Sequence, residues 1–441
     1  MKLFEKAYFI FALLWMARGI IPIATGQGDQ RQAIEFDALS FALQFVVFAI
    51  LAVLIFFHWN SFKAGARTST ALFVICGLAI ASAGWSSEPG FALRRAIILL
   101  ATTMLGIYFA SRFDWDEQMS LFGWLAVISI VGSFFMAIFL PDYGISHDVH
   151  AGDWKGIFPH KNVLGQQMAF GILVLAVGRP KRLPRGILAV ALFGATLLLL
   201  LSRSATGVAI VVVMAFIYAT LHLMRLRREK TLPLWLVYSP LIFLGALVVA
   251  MNRSAILDIL GRSATLTGRT QIWSAVTRAI GEKAWFGYGY SVFWSLGPHG
   301  DARNVLAAIH WGGLRQAQSG YLDLCLDLGL IGLIVFIIGF CIAMWRGLKL
   351  FRIGSTQADK WPIIFLSFFL IYNLVESSLL QLYTFLWVPY VMVFVSLSLA
   401  RAAEPLKSES NAESLVSFDS SDLNETGFGP SLAPASEYQS E

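Results

Sequence analysis

Apolar residues along this chain come in blocks, not in alternation. Runs of about 16 to 22 residues recur from end to end, the length a helix needs to cross the hydrocarbon layer of a bilayer. Read this way, the sequence predicts an all-α polytopic membrane protein of about twelve transmembrane helices. They fall at approximately 7–25, 39–57, 69–85, 96–111, 119–140, 163–178, 186–201, 207–224, 234–251, 326–345, 361–379 and 383–400.

The polar positions between the blocks set the orientation. HWNSFKAGAR (58–67), RPKRLPR (179–185), RLRREK (225–230) and RGLKLFR (346–352) all fall on one side, together with Lys2 and Lys6. Positive charge in short loops marks the cytoplasmic side, so both termini are expected in the cytoplasm. The opposite side receives PDYGISHDVHAGDWKGIFPHKN (141–162) and a large extracytoplasmic loop, about 252–321. MKLFEK leads into its apolar stretch without a small-residue cleavage pattern, which reads as a first anchor and not a removable signal.

Composition agrees with the block pattern. Hydrophobic residues make up 57% and charged residues 14% of the 441-residue chain, with a mean hydropathy of +0.68. A soluble domain carries roughly a quarter charged residues. The net charge of +6 conceals a division: from Ala402 onward eight acids face the single Lys407, leaving 32 basic and 19 acidic residues elsewhere. The chain therefore divides into a membrane domain, 1–401, and a tail, 402–441, rich in Ser, Glu, Asn and Pro, which cannot bury enough apolar area to fold. Cys76, Cys325 and Cys341 lie in or beside apolar segments and read as small buried residues. Their spacing offers neither a disulfide framework nor a metal site.

One charge stands out against the apolar background. In LLLLLSRSATGVAIVVV (197–213), Arg203 is flanked by apolar sequence on both sides. A charge in mid-bilayer is costly, but Ser202, Ser204 and Gly207 interrupt a run too long for one span. The chain is expected to turn there and hold Arg203 at the outer headgroup level. The large loop adds Arg253, Arg262, Arg269, Arg278, Lys283, Arg303 and Arg315, and five of the seven histidines (His147, His150, His160, His299 and His310) also lie on this side. A solvated loop beside anionic headgroups would account for any one of these cations.

Arg269 has a more specific setting. In TLTGRTQIWSAVTRAIG (265–281), Ile272, Trp273, Val276, Ala279 and Ile280 recur at helical spacing, so Thr267-Gly268-Arg269-Thr270 forms a helix start. Unpaired backbone N–H groups beside a guanidinium favour phosphate or diphosphate. Trp273, Trp285, Phe286, Tyr288, Tyr290, Phe293 and Trp294 follow, suited either to anchoring in the interface or to stacking on sugar rings. Glu376, with Asn373 one turn earlier in IYNLVESSLL (371–380), is the notable acid within a span, either a functional group or a carboxylate snorkelling to the surface. These features suit a lipid-borne substrate carrying phosphate and sugar. Cations would stabilise the departing diphosphate, and a base would take the proton of an attacking hydroxyl.

Several segments resemble the O-antigen ligase/polymerase superfamily, in particular its bacterial exopolysaccharide polymerases. They are GIFPHKNVLG (156–165), LLSRSATG (200–207), TLTGRTQIW (265–273), WFGYGYSVFW (285–294), GYLDLCLDLGLIGL (320–333) and NLVESSLL (373–380). The resemblance implies polymerisation of polyprenyl-diphosphate-linked oligosaccharide at the outer face of the bacterial inner membrane, with no cofactor, metal or nucleotide sugar. Carried over by position, it points to Arg203 and Arg269 for the diphosphate, with Lys161, Asn162, Gln318 and Tyr321 as further substrate-binding residues. The family usually carries a His-Asn pair before Gly-Tyr; this chain reads Gln316-Ala317-Gln318-Ser319-Gly320-Tyr321. Glutamine is not a general base, so His310 is expected to substitute, with His160 and Glu376 as alternatives. Expected partners are the lipid-linked glycan, the bilayer, and a chain-length regulator or export complex, with no nucleic acid. Two other readings remain: a ligase passing glycan to a lipid A core or a protein, and a flippase or exporter of the same glycan. A transporter would place charges along a central cavity, often between repeated halves. No internal repeat is evident here and the charges cluster in outer loops.

Overall fold

The computed structural model describes residues 2–17, 38–147, 151–226, 267–310, 313–354, 357–381 and 385–400. The expected span at 234–251, Arg253, Arg262, His150 and the tail at 402–441 lie outside these residues. The chain is all-α. In order it forms α1 (Lys2–Met16), α2 (Ala38–Phe57), α3 (Trp59–Arg67), α4 (Thr70–Ala81), α5 (Pro89–Arg112), α6 (Trp115–Phe139) and α7 (Lys161–Leu173). Then come α8 (Arg185–Leu201), α9 (Ala205–Leu226), α10 (Thr267–Glu282), α11 (Arg303–Ile309), α12 (Gly320–Ile353) and α13 (Trp361–Val375), followed by α14 (Trp387–Ala400). Extended pairing among the described residues is confined to an isolated bridge between Ile145 and Trp154.

Where the expected spans fall on described residues they overlap helices, but the lengths of those helices differ. Among the described residues, four helices (α5, α6, α9 and α12) are long and apolar enough to cross a membrane, and the α2–α3 pair, bent by 97°, would make a fifth. The other apolar helices are shorter, α13 and α14 among them. Burial explains the difference. Most side chains of α13, Leu370 and Leu374 apart, and nearly all of those of α14 are enclosed by other helices, so these two run through the interior of the bundle. By contrast α6 exposes Val131, Phe135, Ile138 and Phe139, and α12 exposes Ile334, Ile337, Ile338 and Trp345. Exposed apolar side chains in such rows suit a lipid environment.

Ion pairs tie the helices together at the end expected to face the cytoplasm. Glu5 is buried against the Arg112 guanidinium at 3.1 Å and accepts from the Tyr108 hydroxyl at 3.1 Å. Glu117 receives Lys6 at 3.5 Å and Arg182 at 3.4 Å. Asp114 begins α6 by accepting from the Glu117 backbone N–H at 2.8 Å, meeting a donor that the helix start leaves unpaired.

The described part of the large loop folds into a small cap, called the outer cap after the side on which it is expected. Ile272, Val276, Tyr288, Phe293, Trp294, Val305 and Leu314 are among the buried residues of its own core. The cap is fastened to α12 at a break in that helix. Gly329 has φ 65° and ψ −168°, leaving the backbone groups on either side without helical partners. The 284–289 strand of loop supplies them. Tyr288 and Gly289 N–H donate to Leu326 and Asp327 O at 2.7 and 3.0 Å, and Leu330 N–H donates to Ala284 O at 2.8 Å. A Cβ at Gly329 would stand 2.2 Å from Trp285 O. The aromatics of WFGYGYSVFW thus divide: Trp285 and Phe286 are exposed, whereas Tyr288, Tyr290, Phe293 and Trp294 are buried. For those four the structure assigns packing within the protein.

Candidate functional site

The SRSATG turn sets Arg203 in place through local chemistry. Ser202 closes α8, its hydroxyl donating to Leu199 O at 2.7 Å. Ser204 opens α9, its hydroxyl accepting from Gly207 N–H at 3.3 Å. Between them Arg203 takes φ 47°, a left-handed conformation that costs a non-glycine residue about 1–2 kcal/mol. Its side chain is 73% exposed, and Nη1 lies 3.5 Å from Asp153 Oδ1. Asp153 is itself buried and pairs with buried Lys161. Lys161, expected to bind substrate, is therefore enclosed in an ion pair. The exposed cation of this cluster is Arg203.

His160 immediately precedes α7 and acts as its cap, Nδ1 accepting from Asn162 N–H at 3.2 Å. With Nδ1 accepting, a neutral imidazole carries its proton on Nε2. Asn162, two residues on, turns to the neighbouring carboxylate. Its Nδ2 lies 3.5 Å from Glu376 Oε1.

Glu376 is the point on which several helices converge. It follows α13 as that helix's C-cap, in extended conformation, and is buried at 6% exposure. Arg269 Nη2 donates to Oε1 at 3.1 Å, and the Thr206 hydroxyl lies 3.5 Å from the same oxygen. The arginine contact is the strong one, since 3.5 Å is at the outer limit of hydrogen bonding. Asn162, Thr206 and Arg269 occupy the first turns of α7, α9 and α10. Three helix starts, each with a partial positive charge, thus face one carboxylate. Close packing allows it: a Cβ at Gly165 would stand 2.5 Å from Ser204 Cβ, so α7 meets the start of α9 where a larger residue would force them apart. The expectation of a carboxylate at the surface does not hold for Glu376, because the α13 end is covered by these helices.

Gln318 sits just before α12, half-buried, with φ 57°. Its neighbours are tied to the Glu376 segment. Ser319 Oγ donates to Asn373 O at 3.4 Å, and Gly320 N–H donates to Glu376 O at 3.2 Å. The Tyr321 hydroxyl donates to Leu370 O at 2.9 Å, joining α12 to α13. His310 lies elsewhere in the outer cap. It is the exposed C-cap of α11 with φ 53°, and no described hydrogen bond or ion pair joins its side chain to Arg269 or Glu376.

The residues brought together are therefore Arg203, Lys161, Asn162, Arg269 and Glu376, with Gln318 on a segment bonded to the last. Asp153 and Thr206 complete the cluster and escaped the sequence reading. Thr206 lies inside the quoted SRSATG motif, and its helix-start position was the available signal. Asp153 lies within the 141–162 loop, and nothing local in the sequence distinguishes it from a solvated acid. The arrangement can bind an anion through a half-buried and an exposed arginine. It can also accept a proton on a carboxylate beside that anion.

Comparison with known proteins adds a family to this geometry. The family model described as O-antigen ligase matches residues 187–337, a stretch that includes Arg203, Arg269 and Gln318. The exopolysaccharide production protein ExoQ of Rhizobium meliloti (strain 1021) is 25% identical over 298 residues, covering 64% of this chain and 65% of that protein. The match thus spans slightly less than two thirds of the relative's own length. Together these findings support the O-antigen ligase/polymerase superfamily, whose members are glycosyltransferase-like ligases and polymerases.

Proposed function

From the O-antigen ligase region and the likeness to an exopolysaccharide production protein, we propose that this membrane protein polymerises polyprenyl-diphosphate-linked oligosaccharide repeats. The work is done at the outer face of the bacterial inner membrane, with both termini in the cytoplasm. A hydroxyl oxygen of one lipid-linked repeat attacks the anomeric carbon of the other glycan and forms the new glycosidic bond. The bond from that carbon to the diphosphate oxygen breaks, and its electron pair leaves on the polyprenyl diphosphate. Glu376 takes the hydroxyl proton. Arg269 and Arg203 bind the diphosphate and stabilise its charge as it departs.

The observation that carries this reading is the contact between Arg269 and Glu376. The carboxylate holds the guanidinium that the diphosphate would take. Diphosphate binding displaces it, and a carboxylate relieved of its cation is a better proton acceptor. Base and leaving-group site are thereby coupled in one ion pair.

The experiment is reconstitution of purified protein with lipid-diphosphate-linked oligosaccharide, followed on a gel that resolves one repeat from many. A ladder of longer lipid-linked glycans is the expected result, lost on Arg269→Ala. Transfer of a glycan to a lipid A core or protein acceptor without elongation would identify a ligase, the reading the family description favours. Substrate that crosses the vesicle membrane unelongated would identify a transporter and sink the enzyme reading.

A further inference from the structure

We propose that Asp323 is a positioning residue of this site, locking the segment that carries Gln318 and the segment that carries Glu376 to each other and to the outer cap. The proposal rests on the function given above. Asp323 is buried on the first turns of α12. Its Oδ1 accepts from the Trp294 indole N–H at 2.8 Å and from Ala317 backbone N–H at 2.9 Å. Oδ2 lies 3.1 Å from the same Ala317 N–H and accepts from the Ser377 hydroxyl. These three donors come from three separate stretches: the outer cap, the lead into α12, and the turn after α13.

Two of the donors adjoin site residues, and the third ties in the cap. Ala317 precedes Gln318, which is held in a left-handed conformation. Ser377 follows Glu376. Trp294 belongs to the cap core together with α10, whose first turn carries Arg269. The surrounding bonds close the same node, with Asn373 Oδ1 accepting from Ser378 N–H at 3.0 Å. Burying a carboxylate is unfavourable unless its lone pairs are met, and an apolar side chain of the same size would cost less to enclose. An acid here is explained by the three segments it joins. It touches none of the groups assigned to the diphosphate, so its effect on the reaction runs through where Glu376 and Arg269 stand.

The test compares Asp323→Asn with Asp323→Leu. Asparagine keeps an oxygen for Trp294 and Ala317, and its amide donates to Ser377; leucine keeps the volume and loses every acceptor. Backbone amide exchange at Ala317 and Ser378 should accelerate in the leucine variant, remain near wild type in the asparagine variant, and stay unchanged in α5 and α6 in both. In the gel assay the leucine variant should lose roughly 100-fold in kcat, with activity largely restored in the asparagine variant. Should the leucine variant fail to fold, Ser377→Ala serves instead, with faster exchange expected at Ser378 and a smaller loss of kcat. Wild-type kcat in the leucine variant, equal loss in both variants, or accelerated exchange throughout the bundle would each overturn the proposal. A wild-type protein that makes no polymer defeats the functional reading instead, and the exchange pattern then decides whether Asp323 holds the two segments.

Discussion

Arg269 Nη2 stands 3.1 Å from Glu376 Oε1, although 107 residues separate the two in sequence. The guanidinium is partly open, 23% exposed, while the carboxylate is almost closed off at 8%. An anion arriving from the open side therefore meets the arginine first, and it competes with Glu376 for the same donors. Glu376→Gln tests both halves of that competition. Glutamine keeps the shape but accepts no proton, so the turnover rate should fall by about 10²- to 10⁴-fold. Donor binding should be unimpaired or tighter, because a neutral amide gives up Arg269 more readily. Parallel rate and lipid-diphosphate binding measurements check this; unchanged turnover would exclude Glu376 as the base.

His310 offers the contrasting prediction. Its side chain is exposed at the end of α11, on the outer cap. His310→Ala should leave chain length and yield of polymer unchanged in the gel assay. A large loss would return the proton-transfer role to this histidine, as the sequence pattern suggests.

Arg203 keeps its position at the expense of backbone strain, with φ 47°, and its guanidinium, open to solvent, lies 3.5 Å from a buried Asp153 that Lys161 already pairs. With Lys161 still neutralising Asp153, losing this solvent-screened guanidinium costs about 0–1 kcal/mol of stability. Arg203→Ala should accordingly leave the thermal midpoint nearly unchanged while greatly reducing polymer yield. Arg203→Lys should restore only part of it, since an ammonium lacks the planar fork that meets two phosphate oxygens. Full activity of both variants would remove Arg203 from the site.

Lys161 and Asp153 should behave in the opposite manner. Both are buried and paired, so removing one partner strands the other charge in a poorly solvated place. Lys161→Met is expected to destabilise the protein by about 3–5 kcal/mol, seen as a lowered unfolding midpoint in detergent. Combining it with Asp153→Asn should recover a substantial part of that loss. A catalytically weak but fully stable Lys161→Met would instead mean that this lysine serves the substrate.

The break in α12 yields a structural prediction. At Gly329 a methyl group would meet Trp285 O at 2.2 Å, in a conformation with φ 65° that L residues rarely adopt. Gly329→Ala should detach the 284–289 loop, with faster amide exchange at Tyr288, Gly289 and Leu330. The strained backbone adds about 1–3 kcal/mol of destabilisation. Normal protection at those amides would show that the helix accommodates the methyl group without releasing the cap.

Much of this protein is legible in its sequence because the relevant physics is local. Apolar blocks of spanning length locate the helices, since a backbone in hydrocarbon must satisfy its own hydrogen bonds. Serines on either side of Arg203 announce a helix end and a helix start. Thr267-Gly268-Arg269 marks the opening of α10, which the structure places there. Arg203, Arg269 and Glu376 thus stand out from the sequence alone.

What sequence could not provide is any relationship between residues distant in the chain. Lys161 and Asn162 are adjacent, yet one is enclosed with Asp153 and the other faces Glu376. Successive residues on a helix point about 100° apart, and tertiary packing decides what each direction meets. Asp323 looks like a misplaced acid in an apolar helix until Trp294, Ala317 and Ser377 surround it. The aromatics of the outer loop read equally as anchors or sugar platforms until burial encloses four of them, Tyr288, Phe293 and Trp294 in the cap core and Tyr290 in the main core. Periodicity and composition determined the kind of protein and the helices it builds. Only folding in three dimensions decided which charges meet, because burial and partner together fix what a charged side chain can do.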